Sequence, residues 1–289
     1  MRKIWLVSTD HLEDELWFRD EEDFKVGMNF VAIQATCTPE VTMLAFILMS
    51  NHVHFVLKGT HAAVERFIRQ FKQYYSMYYH KRWGVHKFLR LTGVDIKEIP
   101  YDDEAPERAI AYVQMNCVAA NICSHPSQYP WGTGNCYFNQ TKPSGTELKD
   151  LSARARARIL HSKCDRLPCN WHIGPEDYIL PQEYVDVKVV EGIFRNPKRM
   201  IYFLNTSSKA RKRLESEEHL PAFRDQIIFA ALPDLLRSLF GKDSFQELTD
   251  KEKPECMRQL RFRFSADIHQ IARVCGLSYA DAACLMDTV

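Results

Sequence analysis

Two apolar runs, "VTMLAFILMS" from Val41 to Ser50 and "HVHFVLKG" from His52 to Gly59, follow one another with almost nothing between them. Each has the length and residue types of a strand. The turn-prone Ser50-Asn51 step is the only break, so the two pair as neighbours in a sheet. Inside the second run sit two histidines one residue apart. Side chains at i and i+2 leave the same face of a strand, so His52 and His54 point into one small volume. Two neutral imidazoles facing together are half of a metal site. The spacing also fits two polar residues on the wet face of a strand, and other parts of the chain have to decide between the two.

The flanking sequence builds out this pair. "KIWLVST" at 3–9 has strand character, and the acidic stretch that follows leads into a helical pattern through about Gln34. After the histidine strand, "AAVERFIRQFKQYYSMYYHKRWG" repeats apolar and aromatic residues at helical spacing until Gly84 stops it. "GVDIKEIP" reads as a short strand ended by Pro100. "DDEAPERAIAYVQMNCVAAN" reads as a helix with acids at its start, where the helix dipole favours them. Alternation of this kind predicts an α+β fold: an antiparallel sheet with flanking helices, packed on one face.

Beyond a segment rich in Pro, Gly, Asn and Ser, the character changes near 141–146, and residues 147–289 are mostly helical in pattern. The expected division is therefore a first domain at 1–140 and a helical carboxy-terminal region at 147–289. "SADIHQIARVCGLSYADAACLMDTV" has the marks of a helix-turn-helix at 266–289, with small Ala272, Gly276 at the turn and Ser278 as a cap. Its second helix carries Asp281 and Asp287 and no Lys or Arg, which suits phosphate poorly, so an ordinary helical hairpin fits as well.

Composition narrows the class. With 289 residues, 46% of them hydrophobic and 12% aromatic, the chain has material for a substantial core. A formal net charge of +1 means that a nucleic-acid partner would have to be met by a local basic surface. Nine cysteines without a CxxC pair or a leading signal peptide fit reduced thiols and a cytoplasmic location. No apolar run approaches bilayer-spanning length, so no membrane partner is expected. One local basic surface is the helix after the histidine strand, where Arg66, Arg69, Lys72, Lys81 and Arg82 interleave with Tyr74, Tyr75, Tyr78 and Tyr79. Cations mixed with aromatics suit phosphates and unstacked bases, and an amphipathic helix with its tyrosines in the core gives the same pattern. A second is "FRNPKRMIYFLNTSSKARKRL" from Phe194, with seven Lys or Arg and no acid.

Completion of a site around His52 and His54 falls to the helix near 104–120, which carries Tyr112 and Asn116 one turn apart on one face. An amide oxygen can join two imidazole nitrogens around a divalent ion, with open positions left for phosphate oxygens and water. A tyrosine beside that ion is a candidate nucleophile, since a phenol with a free pKa near ~10 needs a neighbouring metal or base to react.

"FILMSNHVHFVLKG", "RFIRQFKQYYSMYYHKRWG" and "AIAYVQMNCVAANICSHPSQYPWGTGNCYF" resemble, in the same order, the landmarks of the IS200-like transposases, close to the REP-associated tyrosine transposases. These are single-strand DNA endonucleases of the His-hydrophobic-His (HUH) type with a single tyrosine. The resemblance covers roughly residues 3–138. It implies a ferredoxin-like HUH domain, Tyr112 as nucleophile, and His52, His54 and Asn116 as ligands of Mg²⁺ or Mn²⁺. The implied activity is metal-dependent cleavage and strand transfer on single-stranded or hairpin DNA through a 5′-phosphotyrosine, with Arg66, Arg69, Lys72, Lys81, Arg82 and Arg90 as DNA contacts. Members of the family work as dimers, in which the tyrosine helix can serve the partner's site. Two departures stand out: Cys117 where the family commonly has proline, and Ala119 where it has arginine. They leave open an alternative, a domesticated DNA-binding regulator that keeps the fold without catalysis.

Overall fold

The computed structural model describes residues 1–9, 16–85, 89, 93–101, 104–120, 122–139, 141, 144–208, 223–264 and 266–287. Its centre is a four-stranded antiparallel sheet of β1 (Lys3–Thr9), β2 (Thr42–Met49), β3 (His52–Gly59) and β4 (Val94–Ile99), in the order β2-β3-β1-β4. Helix α1 (Glu21–Cys37) joins β1 to β2, and α2 (His61–Trp83) joins β3 to β4. The result is the split β-α-β arrangement of a ferredoxin-like sheet, in which β3 lies between the strands that α1 connects.

Local chemistry sets the helix limits. Asp20 caps α1 by accepting from the Asp23 amide at 3.0 Å, and Asp23 returns the contact by accepting from the Arg19 amide at 2.9 Å. Thr60 caps α2, and Gly84 ends it in the left-handed conformation at φ 71°. The buried Tyr75 and Tyr79 hydroxyls donate to the carbonyls of Trp17 and Leu16, so these two tyrosines belong to the core.

Helices cover both faces of the sheet, where the sequence pattern predicts one. Phe55 meets Phe67 and Phe71 of α2, at 5.5 and 5.7 Å between ring centroids. Its neighbour His54 points the other way, towards the helix α3 (Ala105–Gln114). The second layer is completed by α6 (Val187–Phe194) and α7 (Pro197–Thr206), which pack with α3. These two come from the region beyond 147, which local periodicity could not assign to a sheet face. Between them and α3 lie α4 (Asn116–Ala119), the two-residue strands β5 (Thr146–Glu147) and β6 (His172–Ile173), and α5 (Ala153–Ile159).

The outer edge of β2 is covered rather than left open. Residues 131–133 run beside it, with the Leu48 amide donating to the Trp131 carbonyl at 2.8 Å and the Thr133 amide to Phe46 at 3.1 Å. Only glycine fits at 132, because a Cβ there would sit 2.8 Å from the Phe46 carbonyl oxygen. Buried Asn29 of α1 fastens the later chain to the domain: its amide nitrogen donates to Ile159 and Asp177, and its oxygen accepts from the Ile179 amide at 2.9 Å.

As a consequence, buried side chains from Ile4 to Leu204 form one core, and a second runs from Ile228 to Ala282. The cores part some sixty residues after the composition change near 141–146, because Leu148, Leu160 and Ile173 beyond it still pack into the first. The second core belongs to α8 (Asp225–Phe240), α9 (Glu252–Phe264), α10 (Ile268–Cys275) and α11 (Tyr279–Asp287). Helix α10 opens on an Asp267–Gln270 capping box and ends at Gly276, φ 67°, and Ser278 accepts from the Asp281 amide at the start of α11. The turn residues are thus placed as the sequence reading expects. Among the described residues, no helix is long and apolar enough to cross a membrane.

Candidate active site

Strand pairing places the two histidines. Ser8 lies opposite His54 in the β1–β3 ladder, and directly opposed residues share a face. The Ser8 hydroxyl is 2.9 Å from His54 Nδ1, and the Asn51 carboxamide oxygen is 2.9 Å from His52 Nδ1. An amide oxygen only accepts, so the contact is a hydrogen bond donated by His52 Nδ1. The two imidazoles meet edge to face, 4.9 Å between centroids, and are 5% and 2% exposed. Burial to that extent rules out the wet-face alternative for this strand.

Tyr112 closes the site from α3. Its ring meets His54 edge-on at 5.6 Å between centroids. It is half-buried, and burial pushes its phenol above the ordinary tyrosine range. The helix breaks at Met115, three residues further on, and the chain restarts as α4 with Asn116. Asn116 caps the break: its Nδ2 donates to the carbonyls of Tyr112 at 2.9 Å and Val113 at 3.2 Å. With the amide nitrogen so engaged, Oδ1 is the end of Asn116 available as a donor atom. The structure therefore joins His52, His54 and Tyr112 directly and ties Asn116 to Tyr112.

Imidazole nitrogens and an amide oxygen are donor types that bind divalent cations. No group of three His, Cys, Asp or Glu that could hold a metal ion is assembled among the described residues. Beside Tyr112 is a cavity of about 500 Å³ lined by Glu104, Arg108, Tyr202, Phe203, Thr206 and Ser207. Helix α7 is its far wall, held to α3 by Arg199, whose Nη2 donates to Glu104 at 3.0 Å and Glu107 at 2.9 Å. Arg199 of the basic stretch thus serves packing, and residues 209–213 of that stretch lie outside the described residues.

The family model described as "Transposase IS200 like" matches residues 21–93. This part of the chain belongs to the IS200-like transposase family. The matched segment of the transposase domain holds α1, β2, both histidines and α2, while Tyr112 and Asn116 lie beyond it and reach the site through the fold. The match supports a DNA-processing role of the transposase kind. No curated protein and no solved structure matches the chain.

The basic residues of α2 lie on the other face of the sheet from Tyr112. Arg69 and Lys72 line a groove with Val94 and Ile96 of β4, and Lys72 is buried there. Arg66 pairs with Glu40 at 2.9 Å. Arg82 is given over to the start of α1, binding Asp20 at 2.6 Å, Asp23 at 2.7 Å and the Tyr78 hydroxyl at 2.8 Å. Lys81 and Arg69 are exposed, and Arg90 lies outside the described residues. The sequence reading did not single out Ser8 or the Asn51 side chain as supports of the histidines. Asn51 adjoins the motif, but Ser8 is 46 residues from His54 in the chain, and only the strand register reveals it.

Proposed function

We propose that the chain is a metal-dependent tyrosine endonuclease and strand-transferase acting on single-stranded or hairpin DNA. The observation that carries this is the meeting of His52, His54 and Tyr112 in one buried site, with Asn116 capping the tyrosine's helix turn. His52 and His54 through Nε2 and Asn116 through Oδ1 would hold Mg²⁺ or Mn²⁺, which supplies polarisation of a non-bridging phosphate oxygen. Tyr112 attacks the phosphorus through its phenol oxygen. As the new O–P bond forms, the bond to the 3′-oxygen breaks, the phenol proton is lost and the leaving oxygen gains one. The products are a 5′-phosphotyrosine and a free 3′-hydroxyl, and the same steps in reverse rejoin strands without ATP.

Burial holds the Tyr112 phenol above the ordinary tyrosine range, so a nucleophilic role needs a bound ion or base to take its proton. Single strands and hairpins fit because bases held in a duplex do not offer their faces to exposed aromatics such as Tyr202, beside the cavity. The test is incubation of the protein with labelled hairpin DNAs and Mn²⁺, scored for a covalent protein–DNA band on a denaturing gel. The reading predicts a band with wild-type protein and none with Tyr112→Phe or without divalent ion. DNA binding with no band across a broad hairpin set would favour the regulator.

A further inference from the structure

The carboxy-terminal helical unit reaches the histidine strand through one buried carboxylate. Asp225, the first residue of α8, is 3% exposed. It accepts from Gln270 Nε2 at 2.9 Å and from Arg273 Nε at 2.9 Å and Nη2 at 3.2 Å, both in α10. Its fourth contact leaves the unit: the Ser50 hydroxyl donates to Asp225 Oδ2 at 2.7 Å. Ser50 sits in the two-residue turn between β2 and β3, and its carbonyl accepts from the amides of Trp17 at 2.7 Å and Phe18 at 3.2 Å. The other turn residue, Asn51, is the one that holds His52 Nδ1. Gln226 reinforces the same junction by donating to the Phe18 carbonyl at 2.7 Å.

We infer that Asp225 is a positioning residue for His52, so that docking of the α8–α11 unit sets the orientation of one imidazole of the site. This rests on His52 being a metal ligand, as proposed above. The carboxylate is costly to bury and is paired with Arg273 at 2.9 Å, and a carboxylate acceptor gives the Ser50 bond more strength than a neutral one would. Ser50 and Asn51 are both buried, so the turn cannot relax without moving the His52 ring. His54 provides an internal control, since Ser8 holds it from within the sheet. The unit is thereby placed to switch the site: an event on α10 that withdraws Arg273 from Asp225 loosens His52 and spares His54.

The test uses full-length protein with ¹⁵N-labelled histidine, comparing wild type, Ser50→Ala and Ser50→Thr, the imidazole signals being assigned through His52→Gln and His54→Gln. In the wild type His52 should show the Nδ1-protonated tautomer. Ser50→Ala should shift His52 towards a mixture of tautomers while His54 stays unchanged, and Ser50→Thr, which keeps the hydroxyl, should restore the wild-type pattern. Mn²⁺ affinity by calorimetry should fall on the order of tenfold in Ser50→Ala. Identical His52 signals in Ser50→Ala and wild type would overturn the inference, as would equal shifts of both histidines, which mark general loosening. If the wild type takes up no Mn²⁺, the metal reading fails, and the His52 signals still decide the coupling.

Discussion

Tyr112 and His54 meet ring to ring, 5.6 Å between centroids, although they come from a helix and a strand 58 residues apart in the chain. The contact fixes where the phenol oxygen is presented relative to the imidazole pair, and Asn116 fixes the helix end that carries it.

The support of His54 by Ser8 has a measurable consequence. Ser8→Ala removes the hydroxyl 2.9 Å from Nδ1 and frees the ring to rotate. Loss of such a support typically weakens metal binding by ~10–100-fold. Calorimetric titration with Mn²⁺ should show a loss at the low end of that range with unchanged thermal stability. Unchanged affinity would mean that the ring is held by packing alone.

Arg82 is expected to act on stability rather than on DNA. Its guanidinium neutralises the fully buried Asp23, which also accepts from Tyr78 at 2.9 Å and lies 3.1 Å from Trp83 Nε1. Arg82→Ala should cost about 2–4 kcal/mol in denaturant unfolding, the lower part reflecting the partial exposure of the arginine. The loss should depend on pH. Burial already raises the Asp23 carboxyl above its usual range, so the folded state holds that proton more tightly than the unfolded chain, and stability falls as pH rises between the two values. Without Arg82 the carboxyl is raised further, and the deficit should be smaller at about pH 5 than at about pH 8. A deficit independent of pH would show that Asp23 is not the group being orphaned.

Asn29 should be among the costliest single polar losses. Asn29→Ala deletes three hydrogen bonds that bind α1 to the chain at Ile159, Asp177 and Ile179. Leaving those backbone groups without the amide should cost about 2–3 kcal/mol, read as a lowered thermal midpoint. A change under about 0.5 kcal/mol would mean that the 159–179 segment is held independently.

Arg69 lies across the sheet from Tyr112, so its effect on DNA should separate from chemistry. Arg69→Ala should reduce the salt dependence of hairpin binding by about one phosphate contact. The single-turnover rate at saturating DNA should be unchanged. A slower rate at saturation would place this residue close to the reacting strand instead.

Much of this architecture is legible in the residues themselves. The β2–β3 pair, the Gly84 stop of α2 and the Ser278 cap follow from local pattern, since each depends on neighbours in sequence. The histidine face follows from strand alternation. What could not be read were contacts set by the register of distant segments: Ser8 against His54, Arg199 against Glu104 and Glu107, and Asp225 against Ser50. Helix α2 shows the limit well. Its tyrosines and cations share one period, and only packing reveals that Tyr75, Tyr79 and Lys72 are buried and that Arg82 is paired within the fold.

The most direct test of the central claim is the position of the covalent bond. Protein trapped with a labelled hairpin and Mn²⁺ should be digested and its DNA-bearing peptide sequenced by mass spectrometry. The account predicts a nucleotide joined through its 5′-phosphate to Tyr112, with a free 3′-hydroxyl on the released strand. Attachment at another tyrosine, such as Tyr202 beside the same cavity, or cleavage that leaves a free 5′-phosphate and no peptide adduct, would contradict it.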